Sequence, residues 1–154
     1  IPGSVLWLMK LNEGAHTNLT QSARDQGVDP ERIIFASRLP RVEDHLARYR
    51  LADVFLDTFP YNGHTTAGDA LLAGLPVVTL CGQSFASRVA YSLLHDVGLP
   101  QYATHDLASY SAMALRFPEI PSIPVETALL SVKLPAGKWQ LAQDMVLSAE
   151  RIGS

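Results

Sequence analysis

The sequence predicts an α/β fold in which a mostly parallel sheet is covered by helices on both faces. Short apolar runs alternate with helical segments of about ten residues along most of the chain, which is the pattern of successive strand–helix–strand units. Crossovers of this kind join parallel strands. With 154 residues, of which 47% are apolar and 18% charged, the chain has the size and composition of one folded domain.

Four short apolar runs are the predicted strands. Each has the length and the continuous apolar character of a strand that is buried on both faces. They are residues 4–9 (SVLWLM), 32–36 (RIIFA), 52–57 (ADVFLD) and 76–80 (PVVTL).

Helices are predicted between and after these strands, over residues 16–26, 41–50, 65–73 and 84–97. Gly27 and Gly74 follow the first and third of them and are typical of helix C-termini. Pro40 suits the first turn of the second helix, and Ser84 is the predicted N-cap of the fourth.

Beyond Pro100 the alternating pattern gives way to helices alone. These are predicted over residues 106–116, 125–133 and 137–152, and three prolines within residues 117–124 predict an extended connector. We therefore divide the chain into a Rossmann-like lobe, residues 1–103, and a helical C-terminal extension of the same domain, residues 104–154.

Composition argues against several classes of partner and compartment. A net charge of −3 without a basic run predicts no nucleic-acid binding, and no apolar run approaches the ~20 residues that span a membrane. Cys81 is the single cysteine and cannot form an internal disulfide, so we predict a reducing, cytoplasmic location. Because the chain begins at Ile1, just before a strand-like run, we expect it to be cut from a longer protein.

The first candidate site is the segment DTFPYNGHTTAGD, residues 57–69, where a strand leads through a turn into a helix. In a parallel α/β sheet, ligands bind at such helix N-termini, whose free N–H groups favour anions such as phosphate. Gly63 allows close backbone approach, Thr65 and Thr66 add hydroxyl donors, and Asp69 can accept from ribose hydroxyls. The alternative is that Thr65 is only an N-cap and Asp69 only complements the helix dipole.

The second candidate site is the helix that follows RLP, residues 38–40. Arg41, His45 and Arg48 are spaced to share one helical face, where an imidazole could stack on a base and a guanidinium could donate to base, ribose or phosphate. The alternative is an ordinary solvated face of charged residues.

Other motifs are excluded by their spacing. GHTTAG has the glycine spacing of a phosphate-binding Walker A loop, but Asp69-Ala70 replaces the required Lys-Ser/Thr. The chain has no G-x-G-x-x-G dinucleotide fingerprint and no clustered His/Cys spacing that suggests zinc. The sequence therefore predicts no metal site.

Six ordered motifs between Ser4 and about Leu99 resemble the C-terminal half of the catalytic region of O-GlcNAc transferases. They are SVLWL, an IIF strand, LADVFLDT, NGHTT-x-x-D, AGLPVVT and G-x-x-FASRVA. Bacterial homologues and the plant SPINDLY-type fucosyltransferases share this pattern. The resemblance implies half of a two-Rossmann-lobe glycosyltransferase, whose parent chain also contains an N-terminal lobe and helical TPR repeats.

The resemblance also implies roles for residues around the nucleoside. Leu39 would offer backbone groups to the base, and His45 would stack near the base with Arg48 alongside. Arg41 stands where the family has a lysine facing the ribose, so the charge is kept while the donor geometry differs.

At the other end of the donor, the resemblance implies that His64, Thr65 and Thr66 lie against the pyrophosphate and sugar, and that Asp69 binds ribose hydroxyls. His64 is the candidate catalytic residue. Transferases of this kind invert the anomeric centre and need no metal, so we expect no cofactor beyond the UDP-sugar substrate. Helix N–H groups and cationic side chains would stabilise the departing diphosphate.

We interpret the chain as the donor-nucleotide lobe of a protein O-glycosyltransferase that uses UDP-GlcNAc and modifies Ser or Thr of acceptor proteins. Alone, it is expected to bind UDP weakly and to transfer negligibly, because donor and acceptor must be positioned by both lobes. Two alternatives stay open: a GDP-fucose-type or other sugar-nucleotide donor, and a non-catalytic interaction module that keeps the fold.

Overall fold

The computed structural model describes residues 3–10 and 12–116. They form two compact units, the first ending at Pro40 and the second beginning at Arg41. The α/β class with parallel strands is confirmed in both units. The helices predicted over residues 125–133 and 137–152 lie outside the described residues, and the boundary between residues 103 and 104 stays a prediction.

The first unit is a strand–helix–strand arrangement. Strand β1 (Leu6–Met9) pairs in parallel with β2 (Ile33–Ala36), and helix α1 (Glu13–Asp25) connects them. Asn12 caps α1 by accepting a hydrogen bond from the Ala15 amide at 2.8 Å. This unit confirms the first two predicted strands and the helix between them.

The second unit contains the remaining elements around a three-stranded parallel sheet. In chain order they are α2 (Val42–Tyr49), β3 (Phe55–Leu56), α3 (Thr65–Leu72), β4 (Val77–Leu80), α4 (Val89–Asp96), β5 (Ala103–Thr104) and α5 (Leu107–Leu115). The strand order is β3-β4-β5. All residues of the central strand β4 are buried, and since neighbouring side chains point to opposite faces, both faces of β4 are covered.

The core of the second unit holds α3 against the sheet. Its buried apolar side chains come from α3, β4, α4 and the residues that follow these helices: Ala70, Leu71, Leu75, Val77, Leu94 and Val97. Gly74 ends α3 with φ +81°, a left-handed conformation that glycine adopts at low cost. The packing of α3 on β4 fixes where the N-terminus of α3 lies relative to the turn that leaves β3.

Three predicted details differ in the structure. The helix predicted over residues 84–97 begins as a separate 3₁₀ turn, Phe85–Ser87, which Ser84 caps as an N-cap; α4 starts only at Val89. Pro40 precedes the N-cap Arg41 and so lies outside the first turn of α2. Strand β5 was not predicted, because two residues carry no detectable periodicity and their pairing with β4 is a tertiary contact.

Candidate functional site

The turn between β3 and α3 is organised by the buried carboxylate of Asp57, which is 4% exposed. One oxygen, Oδ1, accepts from the backbone N–H of Gly63 at 2.6 Å and from that of Thr58 at 2.9 Å. The other, Oδ2, accepts from the Thr79 hydroxyl of β4 at 2.6 Å. The carboxylate thereby ties the start and the end of the turn to the central strand.

Asn62 fixes the same turn from the other side. Its side chain is 1% exposed, and Nδ2 donates to the carbonyls of Thr58 at 3.0 Å and Leu80 at 3.4 Å. Its backbone N–H donates to the Ala86 carbonyl at 2.9 Å, which joins the turn to the 3₁₀ segment before α4. The backbone ahead of α3 is therefore held by buried hydrogen bonds at both ends.

A side chain at Gly63 would force neighbouring atoms of this turn to move. A Cβ atom built on it would lie 2.6 Å from the Thr66 hydroxyl, 3.1 Å from Asp57 Oδ1 and 3.3 Å from the Ala67 amide nitrogen. The close approach of the turn to the first turn of α3 depends on the missing Cβ.

Helix α3 begins with an N-cap whose side chain does not cap it. His64 occupies the N-cap position without a side-chain hydrogen bond to the helix, and its carbonyl accepts the first intrahelical bond from Gly68 at 3.1 Å. Thr65 is therefore the first helical residue, where the predicted helix begins, and the alternative in which Thr65 is the N-cap is wrong. Thr65 and Thr66 are exposed, and within residues 3–10 and 12–116 neither hydroxyl has a hydrogen-bond partner. The first-turn N–H groups, which have no intrahelical partner, thus lie beside two unused hydroxyls.

His64 is packed between two aromatic rings. It stacks on Tyr61 with centroids 4.9 Å apart, and it meets Phe85 edge-on at 6.1 Å. Its Nε2 atom is buried and has no hydrogen-bond partner among the described residues. Buried polar atoms are usually paired, so this imidazole keeps hydrogen-bonding capacity that its described neighbours do not use.

Helices α2 and α3 meet through His45, Arg48 and Asp69. The Arg48 guanidinium donates to His45 Nδ1 at 2.8 Å, and His45 Nε2 lies 3.7 Å from Asp69 Oδ2. Because a guanidinium can only donate, Nδ1 accepts and the proton of the neutral ring sits on Nε2, facing the carboxylate. Tyr49 supports the ring edge-on, with centroids 5.1 Å apart.

The pKa directions agree with this arrangement. Burial and the neighbouring Arg48 lower the pKa of His45, against the opposing effect of Asp69, which favours a neutral ring at neutral pH. Burial raises the pKa of Asp69, and the attraction of His45 opposes that rise. Burial also raises the pKa of Asp57, although the hydrogen bonds from Thr79, Gly63 and Thr58 pull it down.

Two predicted site residues are not part of this cluster. Arg41 precedes α2 as its N-cap, and its Nε atom lies 3.5 Å from Glu43 Oε2 with 65% of the side chain exposed. It therefore does not share the contact that joins His45 to Arg48. Leu39 belongs to the first compact unit, and its role towards the base stays a prediction.

Residues 1–122 match the family described as glycosyl transferase family 41. The chain belongs to this family. The family resemblance carried by the six sequence motifs is thereby confirmed.

The chain is similar in sequence to proteins named as N-acetylglucosaminyltransferases. It is 40% identical over 116 residues to the UDP-N-acetylglucosamine–peptide N-acetylglucosaminyltransferase of Caenorhabditis elegans, covering 75% of this chain and 10% of the relative. It is 37% identical over 131 residues to the probable UDP-N-acetylglucosamine–peptide N-acetylglucosaminyltransferase SEC of Arabidopsis thaliana, covering 82% of this chain and 13% of the relative. The chain thus spans only a small part of the length of these relatives.

A solved structure is also similar to this family 41 chain. A mutant O-GlcNAc transferase from Thermobaculum terrenum superposes with a TM-score of 0.65 at 31% identity, covering 90% of this chain and 24% of that one.

No group of three or more His, Cys, Asp or Glu side chains within residues 3–10 and 12–116 is arranged to hold a metal ion. No helix in that part of this family 41 chain has the length and apolar character needed to cross a membrane.

The sequence analysis did not identify the residues that hold the turn between β3 and α3. The sequence analysis assigns no role to Asp57, Asn62 or Tyr110. A carboxylate directly after a strand, six residues before a glycine, was the available signal for Asp57. For Tyr110, whose hydroxyl donates to the Asp57 carbonyl at 2.9 Å across 53 residues of sequence, there was none.

Proposed function

We propose that this chain is the donor-nucleotide-binding part of a protein O-glycosyltransferase, which transfers N-acetylglucosamine from UDP-GlcNAc to Ser or Thr hydroxyls of acceptor proteins. The observation that carries the proposal is the N-terminus of α3, where uncapped N–H groups lie beside the unpaired hydroxyls of Thr65 and Thr66. These are donors for a diphosphate, and the helix dipole favours the same negative charge.

The nucleoside end of the donor is assigned to the contact between α2 and α3. Asp69 lies one helical turn after Thr65, and its partly exposed carboxylate can accept from ribose hydroxyls. The neutral ring of His45 offers a face for the base, with Arg48 holding its Nδ1 atom. Arg41 completes the nucleoside side in this proposal.

The chemistry assigned to the site is an inverting displacement that uses no metal. The acceptor hydroxyl attacks the anomeric carbon, the bond from that carbon to the diphosphate oxygen breaks, and the electron pair leaves with UDP, while the hydroxyl proton passes to the departing diphosphate or to water. The α3 N–H groups and the threonine hydroxyls stabilise the charge that develops on the diphosphate. His64, next to these donors, is assigned to the sugar side.

The chain by itself is expected to bind UDP weakly and to transfer no measurable sugar. Donor and acceptor must be held together for reaction, and in the proposed parent protein a second lobe and helical repeats supply the other wall of the cleft. Robust transfer from UDP-GlcNAc to a protein by the 154-residue chain would contradict this part of the proposal.

Calorimetric titration with UDP tests the site. Thr66→Ala and Asp69→Asn should each weaken UDP binding roughly five- to tenfold, the effect of losing about one hydrogen bond to a charged or polyhydroxyl ligand. Ser92→Ala and Asp96→Asn are matched controls, because they remove an exposed hydroxyl and an exposed carboxylate on α4.

The outcomes separate the candidate functions. UDP binding that the α3 variants weaken to this extent and the α4 variants leave intact supports the proposal. Tighter binding of GDP than of UDP points to a guanosine-diphosphate sugar as donor. If the α3 variants bind UDP as the unsubstituted chain does, the site assignment is wrong.

A further inference from the structure

Asp57 lies between the sheet and the proposed diphosphate site without being exposed to a ligand. It follows β3 directly, is 4% exposed, and its backbone N–H continues the pairing with β4 by donating to Val78 at 2.9 Å. A residue so placed belongs to the rigid sheet, while its carboxylate reaches the turn that enters α3.

The hydrogen bonds of Asp57 reach three separate parts of the second unit. Oδ2 takes the Thr79 hydroxyl from β4, Oδ1 takes the Gly63 N–H from the turn, and the main-chain carbonyl takes the Tyr110 hydroxyl from α5. Burial raises the pKa of Tyr110 to about 12, with the charge of Asp57 adding to the rise, so this phenol stays a donor at neutral pH.

The bond to Gly63 is the one that matters for the site. Gly63 directly precedes His64, and its position fixes the direction in which the chain enters α3. Hydrogen bonds from N–H groups to carboxylates are shorter and about twice as strong as those to neutral acceptors, and the 2.6 Å distance here is short. A Cβ at Gly63 would lie too close to the Thr66 hydroxyl and the Ala67 amide nitrogen, so the turn packs tightly against the first turn of α3.

We propose that Asp57 is a positioning residue, whose carboxylate sets the entry of α3 through Gly63 and thereby aims the Thr65 and Thr66 donors at the donor diphosphate. This inference rests on the proposed function for its ligand. Asp57 itself does not touch the nucleotide.

The test uses two near-isosteric substitutions and a matched control in the 154-residue chain. Asp57→Asn keeps an acceptor for Gly63 but removes the charge, and Thr79→Val removes the hydroxyl that orients the carboxylate. Thr104→Val is the control: its hydroxyl is also buried in the same sheet and donates to the Thr79 carbonyl at 3.0 Å, but it does not contact the turn.

Amide NMR of the ¹⁵N-labelled chain reads the position of the turn directly. Asp57→Asn should move the Gly63 amide proton upfield, because a neutral acceptor polarises the N–H less, and should also move the amides of Thr65 and Thr66. Thr79→Val should move the same three signals to a smaller extent. Thr104→Val should leave them in place, and thermal unfolding of all variants records how much stability each change costs.

Titration with UDP adds the functional arm. Asp57→Asn should raise the Kd for UDP roughly tenfold, as expected when a charge-assisted bond becomes a neutral one and the diphosphate donors shift. Thr104→Val should leave the Kd unchanged even where its loss of thermal stability equals that of Thr79→Val.

The outcomes test the positioning role of Asp57 and the proposed UDP binding separately. Unchanged Thr65 and Thr66 amides in Asp57→Asn overturn the positioning role, whatever happens to UDP. Shifted amides with an unchanged Kd also overturn it, because the turn then moves without consequence for the ligand. If the unsubstituted chain binds no UDP, the proposed function fails, and the amide signals alone still show whether Asp57 sets the entry of α3.

Discussion

The two ends of the candidate site are built in opposite ways. The turn before α3 is held by the buried side chains of Asp57 and Asn62, which bond to β4, and by the Asn62 backbone N–H, which donates to Ala86 in the 3₁₀ segment. The α2 end is formed by side chains near the surface, with Arg41 65% exposed and His45 21% exposed. The proposed diphosphate side therefore rests on buried hydrogen bonds that fix it before a ligand arrives, whereas the exposed Arg41 on the proposed nucleoside side is free to adjust to one.

This difference between the two ends predicts which substitutions lower stability and which lower only UDP binding. Changes in the turn should cost both stability and binding, because they disturb buried bonds that also aim the donors. A change at the exposed Arg41 should affect binding through the altered side chain alone, with little loss of stability.

The largest effect is expected for Gly63→Ala. The added methyl would clash with the Thr66 hydroxyl and with Asp57 Oδ1, so the turn or the first turn of α3 must move. We expect a loss of about 3 kcal/mol in unfolding free energy, the upper end of the range for overpacking, together with loss of UDP binding. Urea unfolding and UDP titration measure the two.

Gly68→Ala is the matched control, since a Cβ there meets nothing within 4 Å and the residue lies inside α3. It should stabilise the chain by about 0.5–1 kcal/mol, the advantage of alanine over glycine in a helix. Equal effects of the two substitutions would show that the turn is not rigid.

An intermediate effect is expected for the contribution of His45 on α2 to the unfolding free energy, which should depend on pH. The pKa of His45 is lowered in the folded chain, so the unfolded chain binds this proton more readily. The stabilising contribution is therefore complete above the ordinary histidine pKa and is lost as the pH falls through the lowered folded value. Asp57 and Asp69 have raised pKa values, so their effect has the opposite sign. Their contribution to the unfolding free energy is lost as the pH rises through their folded pKa values.

Because these contributions oppose one another, the informative quantity is a difference between variants. Subtracting the unfolding free energy of His45→Gln from that of the unsubstituted chain, at each pH from 4 to 8, should give a term that falls on acidification. His105→Gln, at an exposed histidine, is the matched substitution. The same falling term in both would contradict a specific role of the His45 environment.

The fold could be predicted from the sequence where it depends on local signals. Strands β1, β2 and β4 and helix α3 follow from apolar runs and glycine stops, which are local signals. The separate 3₁₀ turn before α4 depends on the reciprocal cap between Ser84 and Ser87, which the helical pattern conceals.

The site divides in the same way. Thr65, Thr66 and Asp69 could be proposed as site residues from the sequence because they follow a strand and a glycine turn within one segment of chain. The role of Asp57 could not, because its partners Gly63, Thr79 and Tyr110 stand 6, 22 and 53 residues away and are brought together only by the fold. His45, Arg48 and Asp69 were predicted as separate ligand contacts, but their mutual contact also needed the packing of α2 on α3.

The smallest effect is expected for Arg41→Ala, which tests the adaptable end of the site. The exposed pair with Glu43, at 3.5 Å, contributes little, so the unfolding free energy should change by less than about 0.5 kcal/mol. UDP affinity should nevertheless fall about two- to threefold, in a manner that weakens with added salt, if the guanidinium contacts the ribose or phosphate. Arg41→Lys should recover most of that affinity because it keeps the charge. Arg50→Ala removes the same charge at the opposite end of α2 and is the control; an equal loss there would mean that Arg41 acts only through long-range attraction of the anion.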